Sequence, residues 1–363
     1  MNDLVRTGVP DHDDEARPRV LLRSVVKATA EGVNLGMSED DAMALAVETM
    51  LDTMPQLVGP MTVSLHQEKP HLIAWIADGR AELARLIEAH WSPALATYEA
   101  ATYLSYELGS AVRDLYNEAE GEPDTASEVA FLLHGRACVV AGEVLCLMRN
   151  GYSDGAIARQ RTLHEIAVTM GVIMENPGLD LADRYLDYSV VEHWEDMVSY
   201  QEHAEALGQV PFGQDDVDEL NQQYDDVITR WGPHFRKPYR WAAPLFRDGE
   251  DVRLNKLEEL AKLEHLHPHY RQANHYIHAG PRGALLNVYD VRGGRSIGVG
   301  ARADTDFAEV GHGALISLLQ CTASLVVYAP AASKDPDNLL GLMCLQRLTD
   351  DAGIAFSRAS LRR

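Results

Sequence analysis

SEVAFLLHGRACVVAGEVLCLMRNGYSDGAIARQRTLHEIAVTMGVIM, residues 127–174, is the stretch that decides the fold. Its apolar residues recur every three to four positions, which is the spacing of one face of an α-helix. Asn150-Gly151 interrupts the pattern, as a helix C-terminus does, and Ser153 or Asp154 then provides an N-cap for a second helix that continues to about Met174. The stretch therefore predicts a helical hairpin, in which a short turn joins two helices.

The composition extends this prediction to the whole chain. Its 363 residues are 46% hydrophobic but only 7% aromatic, and abundant Ala and Leu favour helices over strands. We expect an all-α fold, a multi-helix bundle with an N-terminal helical extension and at most a small β-hairpin near 285–299. Pro55 to Pro70 predicts an irregular connector, and the long helix expected from His71 to about Glu120 is predicted to be broken or kinked near Ser92-Pro93.

Polar and proline-containing breaks between the apolar helical runs divide the chain into four segments. Residues 1–17 are polar and acidic and predict a disordered tail. Residues 18–124 form an N-terminal helical region, and residues 125–330 form the main helical bundle. Residues 331–363 form a C-terminal helix that we expect to pack on the bundle.

The charge and the cysteines limit the function classes. Lys and Arg number 32 against 55 Asp and Glu, for a net charge of −23. Because phosphate neutralisation dominates binding to duplex DNA, this charge argues against constitutive duplex DNA binding. The four cysteines form no CxxC pair and the N-terminus has no apolar leader, so we expect a cytoplasmic protein with reduced thiols. Residues 314–332 are apolar but contain polar interruptions, and predict a buried helix rather than a membrane span.

The strongest chemical signal is HLHPHYRQANHYIH, residues 265–278, which holds five histidines and one arginine. A proline near its start and a Gly-Pro pair just after its end are typical of a short helix. At 100° per residue, His275 and His278 would lie within about 40° of Arg271 on this helix, with Asn274 beside them. A permanent cation and two imidazoles would then share one stripe.

This stripe has the chemistry of metal-independent RNA cleavage. The guanidinium of Arg271 would stabilise charge on the phosphate oxygens, and His278 or His275 would accept or donate the proton. Asn274 would contact the substrate. Two alternatives stay open: a solvated helix face that is rich in histidine, and a zinc or iron site made of these histidines. Arg271 would repel a cation and no HExxH motif or cysteine ligand is nearby, so we expect neither a metal nor a cofactor.

A second cluster lies in ARQRTLHEIA, residues 158–167, on the second helix of the hairpin. Arg161 and Glu165 are four residues apart, which predicts an ion pair, and His164 lies beside them. One interpretation is an ion pair that only orients the helical hairpin. The other makes these three residues partners of segment 265–278 that hold a histidine tautomer or bind a second phosphate.

Three blocks in order resemble the DUF5677 family of uncharacterised bacterial and phage-associated proteins. They are NGYSDGAIARQRTLHEIAV, DRYLDY and YRQANHYIHAG, and the resemblance extends over roughly residues 125–330. It implies a helical bundle. The name of the family does not indicate an activity.

The third block is also similar to the Arg-x4–6-His signature of HEPN domains, which are helical bundles that often act as metal-independent RNases. Arg271 matches the Arg and His278 the His, while Gln272 replaces the commoner Asn, Asp or His, and the extra His275 leaves open which histidine is meant. This resemblance implies an RNA-cleaving effector in stress or phage defence that acts on RNA as a homodimer. The alternative is a non-enzymatic helical sensor or scaffold that binds a partner protein or a small ligand.

Overall fold

The computed structural model describes residues 19–118, 124–286, 288–291, 295–298, 304–329 and 332–362. Within these ranges the chain forms eleven α-helices, which confirms the all-α prediction. In order they are α1 Arg19–Asn34, α2 Glu39–Glu118, α3 Thr125–Arg149, α4 Ser153–Glu175, α5 Leu181–His203, α6 Gln214–Trp231, α7 Leu254–Leu260, α8 His267–Ile277, α9 Pro281–Leu286, α10 Phe307–Tyr328 and α11 Pro336–Leu361. The expected disordered tail, residues 1–17, lies outside the described residues.

Contacts divide the chain into two compact units, Met1–Leu86 and Ile87–Arg363. In the first unit, α1 is followed by a turn in which Gly36 adopts a φ of 93°, a conformation that favours glycine. Ser38 then caps α2, since its hydroxyl oxygen accepts a hydrogen bond from the Asp41 N–H at 3.2 Å. The boundaries expected at residues 17, 124 and 330 stay predictions.

The irregular connector expected between Pro55 and Pro70 is wrong, because α2 continues through all of these positions, and it is not broken at Pro93 either, where a kink stays a prediction. Each proline removes one backbone N–H from the helix and therefore only one hydrogen bond. The residues on either side continue the hydrogen-bond ladder, so an isolated proline does not end the helix. Proline alone was thus a poor guide to the helix bounds in this region.

The second unit contains the predicted helical hairpin, formed by α3 and α4. Asp124 caps α3, because its carboxylate accepts a hydrogen bond from the Ser127 N–H at 2.9 Å. The turn between the helices uses Gly151 at a φ of 74°. The prediction that Ser153 or Asp154 caps α4 is wrong, because α4 begins at Ser153 itself.

The core of this unit lies where α3 and α4 pack against α10, with α11 on the other side of α10. The indole of Trp91 contacts the rings of Phe307 and Phe356, with centroids 5.5 and 6.1 Å apart. Buried Tyr98 donates a hydrogen bond to the Ala141 carbonyl at 3.0 Å. These contacts join the last part of α2 to α3, α10 and α11.

The small β-hairpin expected near 285–299 is present. Strands β1 (Val288–Val291) and β2 (Arg295–Gly298) pair antiparallel, with Val288 opposite Gly298.

Two described helices, α3 and α10, are long and apolar enough to cross a membrane. Their most apolar windows share a mean hydropathy of 1.6, and 50% and 61% of these windows, respectively, is buried inside the chain. The core helices of a globular protein pass the same test, so this weak signal carries no conclusion about a membrane.

Candidate functional site

A cavity of about 320 Å³ lies among α4, α8, α10 and α11 in the second unit. Its polar lining includes Arg161 and His164 of α4, together with Tyr270 of α8. Apolar atoms from the same four helices form much of the remaining wall. A concave, mostly apolar site with a few polar groups is the usual form of a small-molecule site.

Three side chains form a closed hydrogen-bonded triangle at this cavity. Arg161 Nη2 donates to the Tyr270 hydroxyl oxygen at 2.6 Å and lies 2.8 Å from Glu165 Oε1. The Tyr270 hydroxyl donates to the same Glu165 oxygen at 2.8 Å. Burial raises the pKa of Tyr270 well above its usual range, so its hydroxyl keeps the proton that it donates.

One nitrogen of this triangle lacks a partner. The Arg161 Nε atom is buried, yet its N–H has no hydrogen-bond acceptor among the described residues. A buried N–H without an acceptor costs about 1–3 kcal/mol. The guanidinium is held by its Nη2 atom and by the Tyr270 ring, whose centroid lies 4.7 Å from its central carbon.

A buried carboxylate joins two histidines next to the triangle. Glu258 of α7 is fully buried (0% exposed), with Oε1 2.8 Å from His164 Nε2 and Oε2 2.5 Å from His267 Nδ1. Burial lowers the pKa of His164, although the charge of Glu258 opposes this shift. His267 also stacks on Tyr270, with ring centroids 6.1 Å apart, so the carboxylate–histidine group and the triangle form one network.

Two further histidines line the cavity, His269 near the start of α8 and His312 of α10. A Cβ atom at position 353 would lie 2.6 Å from His312 Nε2, so Gly353 of α11 leaves room for this ring. Burial lowers the pKa of His312, which keeps its imidazole neutral near pH 7.

The structure separates the residues predicted from sequence into two groups. Arg161 and His164 line the cavity, and Glu165 completes the triangle. The side chains of Arg271, His275, His278 and Asn274 are not part of the cavity lining.

The predicted stripe on α8 is wrong for His278. The helix ends at Ile277, and His278 follows it with extended backbone at φ −97° and ψ 139°. The cause is tertiary, because α9 turns back over this end and the Gly283 backbone packs directly on the His275 carbonyl. Arg271 and His278 are exposed, whereas His275 and Asn274 are half-buried.

Residues 127–293 match the family model described as a family of unknown function, DUF5677. This segment is a DUF5677 domain. No curated protein and no solved structure matches the chain. The DUF5677 segment contains the triangle and the Glu258 network, while the α10 and α11 walls of the cavity lie beyond it.

Sequence reasoning missed several members of the site within and beyond the DUF5677 segment. Tyr270, His267 and His269 belong to the histidine-rich stretch, but its Arg-His spacing singles out Arg271 instead. Glu258 and His312 have no local signal, because each reaches the site only when distant helices meet. The expected Arg161–Glu165 ion pair is present, with a third partner that spacing alone could not reveal.

Among the described residues, no group of three or more His, Cys, Asp or Glu side chains is arranged to hold a metal ion. Within segment 265–278, two histidines have a defined place at the site. Glu258 bonds His267, and His269 lines the cavity beside Tyr270.

Proposed function

We propose that the cavity binds a small amphoteric molecule and that the chain acts as a helical ligand sensor. The observation that carries this proposal is the buried Arg161 Nε N–H, which has no acceptor among the described residues and belongs to a side chain that lines the cavity. A carboxylate or carbonyl oxygen of a ligand would supply that acceptor and recover the cost of the unpaired N–H.

The charges at the cavity favour a ligand with little net charge. Glu165 already balances the charge of Arg161, while buried His164 and His312 have lowered pKa values. Glu309 of α10 adds a carboxylate to the lining and forms no ion pair in the part of the chain that the structure describes. A polyphosphate would meet no net positive charge here, whereas an amine or hydroxyl group would suit Glu309.

The size of the cavity supports the same ligand class. About 320 Å³ lies at the lower end of the roughly 300–1,000 Å³ of small-molecule sites. Because helices α4, α8, α10 and α11 surround it, the cavity suits a whole small molecule better than one link of a polymer.

Thermal unfolding tests the proposal, with the standard amino acids and the free nucleobases as probes at millimolar concentration. We expect at least one probe to raise the Tm of the full chain by several degrees, as ligand in large excess over its Kd does. Arg161→Met and Glu309→Gln should each abolish the rise. Arg271→Met is the matched control, since Arg271 lies outside the cavity. A rise that survives Arg161→Met, or no rise with any probe, contradicts the proposal.

We also propose RNA cleavage by Arg271, with His278 or His275 as the acid–base group, as a second candidate function. The observation that favours it is exposure: Arg271 and His278 are both exposed, and neither forms an ion pair with another described residue. A polymer too large for the cavity could therefore reach them, and a homodimer would bring two such sets together.

Incubation with total RNA separates the two candidates. Loss of RNA integrity with the wild-type chain, but not with Arg271→Ala/His278→Ala, would support cleavage at the α8 end. The variant Arg161→Met should cleave normally in that case. Equal RNA integrity with the wild-type chain and the double variant, under several salt conditions, would exclude RNA cleavage as a function of the chain.

A further inference from the structure

An uncovered apolar stripe lies on α2 within the first unit, independently of the proposed ligand site. Its large apolar side chains between residues 51 and 75 are exposed by 40–62%, apart from Met54, which is half-buried. A contiguous apolar surface of this kind marks an interaction site. The spacing of the side chains indicates which partner it fits.

Counted from Leu51 in alternating steps of three and four, the positions form a heptad seam. They are Leu51, Met54, Val58, Met61, Leu65, Glu68, Leu72 and Trp75. Apart from Glu68, every position is apolar, and Val47 and Ala44 continue the seam towards the start of α2. A repeat of this kind is the pattern of a coiled coil, in which two helices meet along their a and d positions.

The other features of α2 leave this seam open. Ala42 and Ala46, at outer heptad positions, are buried, and Gly32 of α1 packs on Ala42, so α1 covers a different face. None of the three prolines between residues 51 and 75 lies at an a or d position. The side chains that would meet a partner helix are therefore apolar at every a and d position except Glu68.

We infer that residues 44–75 pair with the same residues of a second copy of this chain as a two-stranded coiled coil. A symmetric interface needs only a self-complementary surface, which a heptad seam provides.

The charges beside the seam are consistent with self-pairing. Although the chain carries a net charge of −23, the positions that flank the a and d residues hold a single acid, Glu48, and a single base, Lys69. Two copies would therefore meet with like-charge repulsion confined to Glu68 within the seam, instead of the repulsion along the whole interface that the rest of the surface predicts.

The area is sufficient for a stable dimer. The seven apolar seam side chains from Leu51 to Trp75 would each remove on the order of 80 Å² from water, or about 1,100 Å² for both helices, and Val47 and Ala44 would bring the total to roughly 1,200 Å², the lower end of stable interfaces. The seam is about 45 Å long at 1.5 Å per residue.

Light scattering of the full chain at micromolar concentration tests the inference. The wild-type chain should have the mass of a dimer. Leu65→Glu places a charge at an a position, and burying it should raise the dimer Kd at least about a hundredfold. Val63→Glu is the matched control, because Val63 and Leu65 are both 56% exposed but Val63 lies off the seam. It should leave the dimer intact.

Each outcome decides the inference. Dissociation by Leu65→Glu and not by Val63→Glu supports it, and Val58→Glu should repeat the result, with far-UV circular dichroism showing that every variant keeps its helix content. A monomeric wild-type chain overturns it. Equal effects of the seam and control variants, or no effect of either, overturn it as well.

Discussion

Acidification from about pH 7 to about pH 5 is expected to destabilise the fold through His134 of α3. This ring is 4% exposed, and its Nε2 atom lies 3.2 Å from Thr322 Oγ1 and 3.4 Å from Ser105 Oγ. Burial, with a smaller effect of the Arg113 charge, lowers its pKa from 6.5 to about 4. Gly109 makes the site possible, since a Cβ there would come 2.4 Å from the ring.

The sign and the size of the effect follow from the two pKa values of His134. Between pH 6.5 and pH 4 the unfolded chain binds a proton that the folded chain does not, so the free energy of unfolding falls as the pH falls. The stability contribution of the neutral ring is present above pH 6.5 and is lost towards pH 4. Over the interval from about pH 7 to about pH 5, the loss is about 2 kcal/mol.

Urea unfolding at both pH values, followed by tryptophan fluorescence, measures the effect. Other groups also titrate, so the informative quantity is the difference between the wild-type chain and His134→Gln, whose amide carries no charge at either pH. The variant is less stable at pH 7, because it loses ring contacts, but it should lose about 2 kcal/mol less on acidification. An equal loss in both proteins would refute the assignment of this proton to His134.

Three further predictions concern local contacts, each measured by urea unfolding. Asp124→Ala removes the N-cap of α3 and should lower the free energy of unfolding by about 1 kcal/mol. Asp124→Asn should keep most of the stability of the wild-type chain, and equal losses in the two variants would argue against capping. Gly311→Ala places a Cβ 2.3 Å from the Phe356 ring and should cost about 1–3 kcal/mol, whereas no loss would mean that the ring moves aside easily. Glu258→Ala leaves buried His164 without its partner and should cost about 3 kcal/mol or more, with Glu258→Gln milder; equal stability of Glu258→Ala and the wild-type chain would contradict the bridging role.

The helical elements with local signals were predicted well from the sequence. The second helix of the hairpin, expected to continue to about Met174, ends at Glu175, because the apolar spacing and the Asn150-Gly151 interruption before it are local signals. The prolines of α2 led to a wrong prediction of an irregular connector, because one missing hydrogen bond weakens a long helix without ending it.

The site was less predictable because its parts are far apart in sequence. The Arg161–Glu165 pair lies on one helix, so its spacing predicted it. His278 was placed wrongly because α9 returns over the end of α8, which no helical pattern within segment 265–278 encodes. Glu258 and His312 reach the site through tertiary packing alone, so their positions in the sequence do not indicate that they belong to it.

The triangle of Arg161, Glu165 and Tyr270 favours recognition over stability as its role. An ion pair four residues apart on a helix contributes about 0.3–0.5 kcal/mol and needs no third residue. Here Tyr270 adds hydrogen bonds to both partners, while the buried Arg161 Nε has no acceptor in the part of the chain that the structure describes. An unpaired buried N–H costs about 1–3 kcal/mol, which exceeds the stabilisation that the ion pair contributes. A group that only stabilised α4 would not leave that cost in place, whereas a group held ready for the oxygen of a ligand would.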